Sequence, residues 1–398
     1  MTGYNKHFLI AMGVFGAYIA SSNILSFSLP LLALDISGTG TGLALIKGAG
    51  FIPNIVLAVF VGVINDRLRK STGFRVYSST LAIAALALFA GLAAGMISIT
   101  GLMVFMIAFN AVGYALGNMQ LTLIRLVVPH EKLADATALT SAVNSTITTV
   151  APAVGGLLLY LLGHTNLVGA IAVILLLASL ASMAVQPEET TPTPIPFSAA
   201  LREGWHAFRT NRDLVMMTVA VVLTNAAEGA FVVAVLIKLT SVLGANEFQI
   251  GVIFALSGMG GVIGSLFAAR LRRYLGVRLS FYAPMLVLAA VHIAAMLAPN
   301  LITLAIVYIA DGAVSLFSAI SIWSYRQEAV SAAHMGRVAG ITGAIFKIGM
   351  PPVIFLAGWM TDAGALNAVF WMAAGIMVTA ALFLSFVAGW GLPARKPI

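Results

Sequence analysis

Glu228, Asp311 and Lys347 are ionisable side chains embedded in long runs of apolar residues, and their types define the chemistry open to them. A charged group in hydrocarbon costs roughly 2.5–3.5 kcal/mol on insertion scales unless it faces a cavity, water or a partner. Two carboxyls at mid-run can take up and release protons. An ammonium can pair with one of them or hold an anionic ligand. In the functional reading, Glu228 and Asp311 line a central cavity and exchange a proton for substrate, with Lys347 binding substrate. In the structural reading, Lys347 neutralises one acid and fixes helix packing. Lys47 and Lys238 are expected to snorkel to the interface, and His292 to be a hydrogen-bonded packing residue rather than a proton relay.

Polar residues recur around these groups at helical spacing. Asn110, Tyr114 and Asn118 fall every four residues, Asn225 precedes Glu228 by three, Asn23 is flanked by Ser22 and Ser26, and Asp311 is followed by Ser315 and Ser318. Each set shares one helix face. Asn23, Asn110, Tyr114, Asn118, Asn225 and Ser315 are therefore expected to line a substrate cavity; polar bonding from helix to helix is the alternative for each patch.

The elements that must position these residues follow from composition. Of 398 residues, 61% are hydrophobic and only 9% charged, too few polar side chains to coat a water-facing globule of this size. Apolar stretches at 8–34, 42–64, 76–97, 102–124, 137–162 and 167–186 form a first set of six. A second six runs through 214–242, 249–269, 279–298, 301–325, 338–360 and 366–390. Each is long enough to cross a bilayer as a helix and too long for a barrel strand. The fold expected is an all-α membrane protein of twelve transmembrane helices in two six-helix bundles, 1–186 and 214–398, joined by a cytoplasmic linker at 187–213. Within that linker, Phe197 to Phe208 carries Leu201, Trp205 and Phe208 opposite Arg202 and Arg209, the pattern of a short interfacial helix.

Of the 21 Lys and Arg, 18 fall in alternate connections or the tails and three, Lys47, Lys238 and Lys347, inside spans. The positive-inside rule then places both termini in the cytoplasm. This clustering between spans explains the net charge of +8 better than nucleic-acid binding does. The chain has no cysteine, which excludes disulfides, thiolate metal sites and cysteine nucleophiles. The glycines from Gly258 to Gly264 lie within a span, without the strand and loop of a nucleotide site. No enzyme, cofactor or metal centre is expected. An ion gradient or facilitated diffusion is left as the energy source.

An internal repeat supports the two-bundle division. RLRKSTGFR from Arg67 and RLRRYLGVR from Arg270 are offset by 203 residues, with Arg67/Arg270, Arg69/Arg272, Gly73/Gly276 and Arg75/Arg278 identical. Such an offset is the trace of two parallel repeats about an axis along the membrane normal. Asp66, Arg67, Arg69 and Arg270 can lock helix ends together by charge-assisted hydrogen bonds, a gating role; a basic turn that only fixes topology is the alternative.

With these residues in view, the chain resembles the major facilitator superfamily of transporters over essentially its whole length. Gly62-Val-Ile-Asn-Asp66-Arg67-Leu68-Arg69-Lys70 resembles the loop signature G-x-x-x-D-R-x-G-R-K, one residue short and without its internal glycine. Ala151-Pro152-Ala-Val-Gly155-Gly156 resembles the antiporter-associated G-P-x-x-G-G, with alanine for the first glycine, and adds Pro152 to the candidate gating residues. Val128-Pro129-His130-Glu131-Lys132-Leu133 and Met335-Gly336-Arg337-Val338 resemble turns of the macrolide-efflux and siderophore-exporter branch. The resemblance implies that helices one, four, seven and ten line the cavity. It further implies a monomeric secondary transporter in a bacterial cytoplasmic membrane, exporting amphipathic drug-like small molecules in exchange for protons, with membrane lipids around it. Alternatives are a dedicated exporter of siderophores or other anionic metabolites and, in another class, a non-transporting receptor or assembly protein.

Overall fold

The computed structural model describes residues 5–57, 60–186, 197–331 and 334–387, which are helical apart from short turns. The expected linker residues 187–196 and the C-terminal tail lie outside the described residues. The first half contains α1 (Lys6–Ser37), α2 (Gly40–Ala49), α3 (Ile52–Leu57), α4 (Val61–Arg67), α5 (Lys70–Ala93), α6 (Ile99–Val127) and α7 (Leu133–Ser182). After the linker come α8 (Phe197–Thr210), α9 (Arg212–Ile237), α10 (Glu247–Leu297), α11 (Leu301–Ala329), α12 (Met335–Ile345), α13 (Met350–Asp362) and α14 (Leu366–Val387). Apolar runs become helices because only internal hydrogen bonds can satisfy the backbone in lipid. Their starts are marked by polar caps: Asn5, Thr39, Ser98, Asn211 and Asn300 accept hydrogen bonds from first-turn amides.

Two helices are too long for one crossing. α7 has 50 residues and α10 has 51, so at about 1.5 Å per residue each spans more than twice the ~30 Å hydrocarbon core. Each is folded back at a glycine, Gly163 with φ 70° and ψ 172° and Gly276 with φ 72° and ψ 170°, a backbone conformation essentially confined to glycine that costs other residues about 1–3 kcal/mol. Counted so, the ten candidate spanning segments hold all twelve apolar stretches. Gly73, the repeat partner of Gly276, does a different job: it lies in the first turn of α5, where a side chain would run into Met119.

Two spans expected as single helices are broken. The second is divided among α2, α3 and α4, and the eleventh parts at Phe346–Gly349 between α12 and α13. Lys238 also departs from expectation. It does not snorkel; it is 5% exposed, and its Nζ donates to the carbonyls of Ala295 (2.8 Å) and Met296 (2.6 Å), closing the C-terminal end of α10. Lys47 sits half-buried in the last turn of α2.

By backbone proximity the chain forms two compact units, residues 1–197 with 239–255, and 198–238 with 256–398. In the first, α7 packs along α1 and α5, and α6 along α1 and α5. In the second, α9 is packed by α11, α12, α13 and α14.

Candidate coupling and substrate site

The acids converge on α9, the most enclosed span. In its most apolar window 72% of residues are buried, against 28–44% in the other spans. Ala226, Ala227, Gly229 and Ala230 are buried and small, which lets neighbouring helices approach; a side chain at Gly229 would meet Ile354 at 2.7 Å. Glu228 emerges from this stretch with 26% of its side chain exposed. Its Oε1 accepts a hydrogen bond from Ser315 Oγ of α11 at 3.2 Å. The same oxygen lies 3.8 Å from Nε2 of His292, on α10. Asp311, one turn before Ser315, is 6% exposed, and its Oδ1 has no hydrogen-bond partner among the described residues.

His292, expected as a hydrogen-bonded packing residue, takes another position. Its ring stacks on Phe231 (centroids 4.1 Å apart, 18° between planes), is 0% exposed, and neither ring nitrogen makes a hydrogen bond among the described residues. Phe231 also stacks against Tyr308. Phe231 follows Glu228 by three residues and so presents the aromatic wall on the same side of α9 as the acid. Carboxylate oxygens of Glu228 and Asp311 and a ring nitrogen of His292 lie within 4.8 Å of one another. At these separations a proton passes between the groups only through a bridging water or after an approach to about 2.6–3.2 Å. The trio is also a ligand set that could hold a divalent cation, although ligands around a bound ion stand closer, about 3–3.5 Å apart for bonds of roughly 2.0–2.2 Å.

Lys347 lies elsewhere. It occupies the break between α12 and α13, half-buried, with no ion pair to either acid among the described residues. The structural pairing of Lys347 with Glu228 or Asp311 is therefore not formed. The break is held by Asn225, whose Nδ2 donates to the Phe346 carbonyl at 2.9 Å, satisfying a backbone oxygen freed where α12 ends. Asn225 thus bonds helix to helix.

In the first unit the polar face of α6 is as spaced, but its amides are turned onto their own helices. Asn110 Nδ2 donates to the Met106 carbonyl and Asn118 Nδ2 to the Tyr114 carbonyl, both at 2.9 Å, and Asn23 of α1 donates to the Ile19 carbonyl at 2.8 Å. All three and Tyr114 remain partly exposed. Beside them, Phe15 and Tyr18 of α1 and Phe105 and Phe109 of α6 form a chain of ring contacts 5.2–6.0 Å between centroids, an aromatic wall that the polar pattern alone did not reveal.

At the α4–α5 turn the packed polar centre is Asn65, next to the expected Asp66. Asn65 is 4% exposed, donates to the Ala115 carbonyl at 3.0 Å, accepts from Tyr77 Oη at 2.8 Å, and offers its carbonyl to Lys70 Nζ. Arg67 and Arg69 are not buried, and the side chain of Asp66 lies outside the described residues. In the repeat, Arg270 is exposed while Arg272 forms the ordered contact, a two-pronged pair with Glu328 at 2.9 Å for both bonds. Pro152 sits in α7 where that helix crosses the start of α10 backbone to backbone: a side chain at Gly156 would lie 2.9 Å from Gly251 Cα, and one at Gly251 would meet the Pro152 carbonyl.

The arrangement of buried acids on helices of a twelve-span chain can be set beside known proteins. No curated protein matches the chain by sequence. Several solved structures share its fold. The POT family transporter PepTSo aligns over 97% of this chain and 98% of its own with a TM-score of 0.80 at 11% identity. A point mutant of the nucleoside transporter NupG aligns over 96% and 99% with 0.76 at 13% identity. A bacterial homologue of the iron transporter ferroportin, in its inward-facing state, aligns over 96% and 100% with 0.75 at 13% identity. At such identities the likeness is one of fold. The family model of the Major Facilitator Superfamily matches residues 10–352, and the chain belongs to that superfamily of membrane transporters.

Proposed function

We propose that this chain is a secondary active transporter that exports amphipathic, drug-like small molecules in exchange for protons by alternating access, with Glu228 and Asp311 as the coupling acids. The observation that carries this reading is the Glu228–His292–Asp311 cluster. Three titratable groups gather in the middle of an apolar unit, one acid partly exposed and the other enclosed, without a lysine or arginine to neutralise them among the described residues. Such a cluster is costly in hydrocarbon, and ionisable groups kept inside spans at that cost are the usual mark of an ion or substrate pathway. The partly exposed Glu228 suits proton exchange with water, and the enclosed Asp311 suits proton storage. The half-exposed amides of the first unit, with the partly exposed ring of Phe105 near them, suit an amphipathic substrate.

The test uses inverted membrane vesicles containing the protein and ethidium, an amphipathic fluorescent cation. An imposed gradient, acid inside, should drive ethidium accumulation that a protonophore abolishes. Accumulation equal to that of empty vesicles, or accumulation indifferent to the protonophore, would contradict proton-coupled export of this substrate class.

A second reading, an exporter of anionic metabolites, is favoured by Lys347. A half-buried ammonium at a helix break, free of an acidic partner among the described residues, is placed to meet an anionic group. Under that reading Lys347→Gln abolishes transport of an anion such as a catecholate while Glu228→Gln does not alter its binding; under the first, ethidium transport survives Lys347→Gln.

A further inference from the structure

Among the described side chains of α8, one face is docked on the second unit. Gly204 is buried, and a side chain there would meet Arg337 Cβ at 2.8 Å; Phe208 is 4% exposed in a core with Leu214, Met217 and Ile322. Glu203 is bound by Arg337. The opposite face presents Arg202, Trp205, His206 and Arg209, at the i, i+3, i+4, i+7 spacing of a single stripe, and all four are exposed. The chain then turns at Asn211, which caps α9, and places Arg212 on the same side. Together with His334 these residues line an open cavity of about 950 Å³.

The charge in that cavity is unbalanced. Arg202, Arg209 and Arg212 face it, and of its two acids Glu203 is already paired with Arg337. The other, Asp213, sits in the first turn of α9, where the helix dipole accommodates it. The cavity opens where a membrane span begins, since α9 turns apolar directly after Asp213. Trp205, 47% exposed, is of the residue type that settles at the headgroup level.

From this juxtaposition we propose that the α8–α9 cavity binds the phosphate of an anionic membrane phospholipid. Guanidinium groups hold the phosphate oxygens in two-pronged hydrogen bonds. The stripe, the cavity and the position at the end of a span all fit this occupant. An acidic protein segment would need none of the last. The site is independent of the transport reading, because none of its residues belongs to the acid cluster.

The test is native mass spectrometry of the whole chain, delipidated in detergent and titrated with phosphatidylglycerol or phosphatidylcholine. Phosphatidylglycerol should bind at least about tenfold more tightly, and Arg209→Gln with Arg212→Gln should remove that preference. Arg125→Gln with Arg273→Gln removes the same charge from other exposed turns and should leave the preference intact. Arg209→Lys with Arg212→Lys, which keeps charge and folding, should retain part of it. Equal binding of the two lipids, or equal loss in the control pair, would overturn the proposal. So would displacement of the lipid by millimolar inorganic phosphate, which marks a soluble-anion site, or by an acidic peptide, which marks a protein partner.

Discussion

A lysine between two apolar helices shows how a single residue can be read two ways. From its place in the sequence Lys238 has a long stem and a nearby interface, and snorkelling is the cheaper expectation. In the fold its ammonium meets the carbonyls of Ala295 and Met296, in the last turn of α10, where the helix runs out of amide donors. Lys238→Met should therefore take away the ammonium from the Met296 carbonyl and leave the Ala295 carbonyl with only the long bond from the Ala298 amide (3.4 Å), and cost about 1–3 kcal/mol, read as a fall in the thermal unfolding temperature of the detergent-solubilised protein with ethidium transport per folded molecule unchanged. An unaltered unfolding temperature would restore the snorkelling role. Glu228 and Asp311 are legible in the sequence because ionisable groups in an apolar run stand out against their surroundings. His292 is just as visible there, yet its neighbours are not. The ring's place beside two acids depends on how α9, α10 and α11 pack, and nothing in local spacing encodes that.

At the scale of the helix, hydrophobic length discloses each span because the bilayer imposes it, but not the breaks within spans. The eleventh span parts at Phe346, where Asn225 of another helix supplies the hydrogen bond that the break removes, so the information sits 121 positions away. Likewise the repeat Gly73/Gly276 equates two glycines by sequence that the fold uses differently. The contact of α7 with α10 yields a direct test. Gly156→Leu must push the backbones at Gly251 apart and should destabilise the protein by about 1–3 kcal/mol of overpacking and slow ethidium transport. Wild-type stability and rate would show the two helices are not in contact during turnover. For the basic turns, Asp66→Asn is expected to shift spin-label distances between the two turns towards an open state; an unchanged distribution with intact folding would leave Asp66, Arg67, Arg69 and Arg270 as topology signals alone.

For the whole molecule, the distribution of cationic residues makes a prediction about sidedness. With both termini cytoplasmic, Ser98→Cys and Met96→Cys should react with an impermeant thiol reagent added outside intact cells, and Tyr274→Cys, 87% exposed in the α10 turn, should not. The native chain has no cysteine to confuse the readout. The reverse pattern would invert the protein and with it the direction of export. The twelve-span architecture and the superfamily are open to sequence reasoning because both rest on apolar periodicity and short turn motifs spread along the chain. The ring cluster of Phe15, Tyr18, Phe105 and Phe109 is less so, since residues from α1 and α6 come together only in the fold.

The claim that joins these scales is that the carboxyl of Glu228 carries the exchanged proton, and replacing it with a permanently neutral amide addresses that claim most directly. In vesicles containing Glu228→Gln, with Asp311→Asn as the companion because a coupled cluster can pass the role between its acids, ethidium transport is followed with and without an imposed pH gradient. Glu228→Gln should retain exchange of labelled for unlabelled ethidium at equal concentrations and lose gradient-driven accumulation. Full gradient-driven accumulation in Glu228→Gln would contradict the account, and loss of exchange along with accumulation in a correctly folded variant would reassign Glu228 to substrate binding.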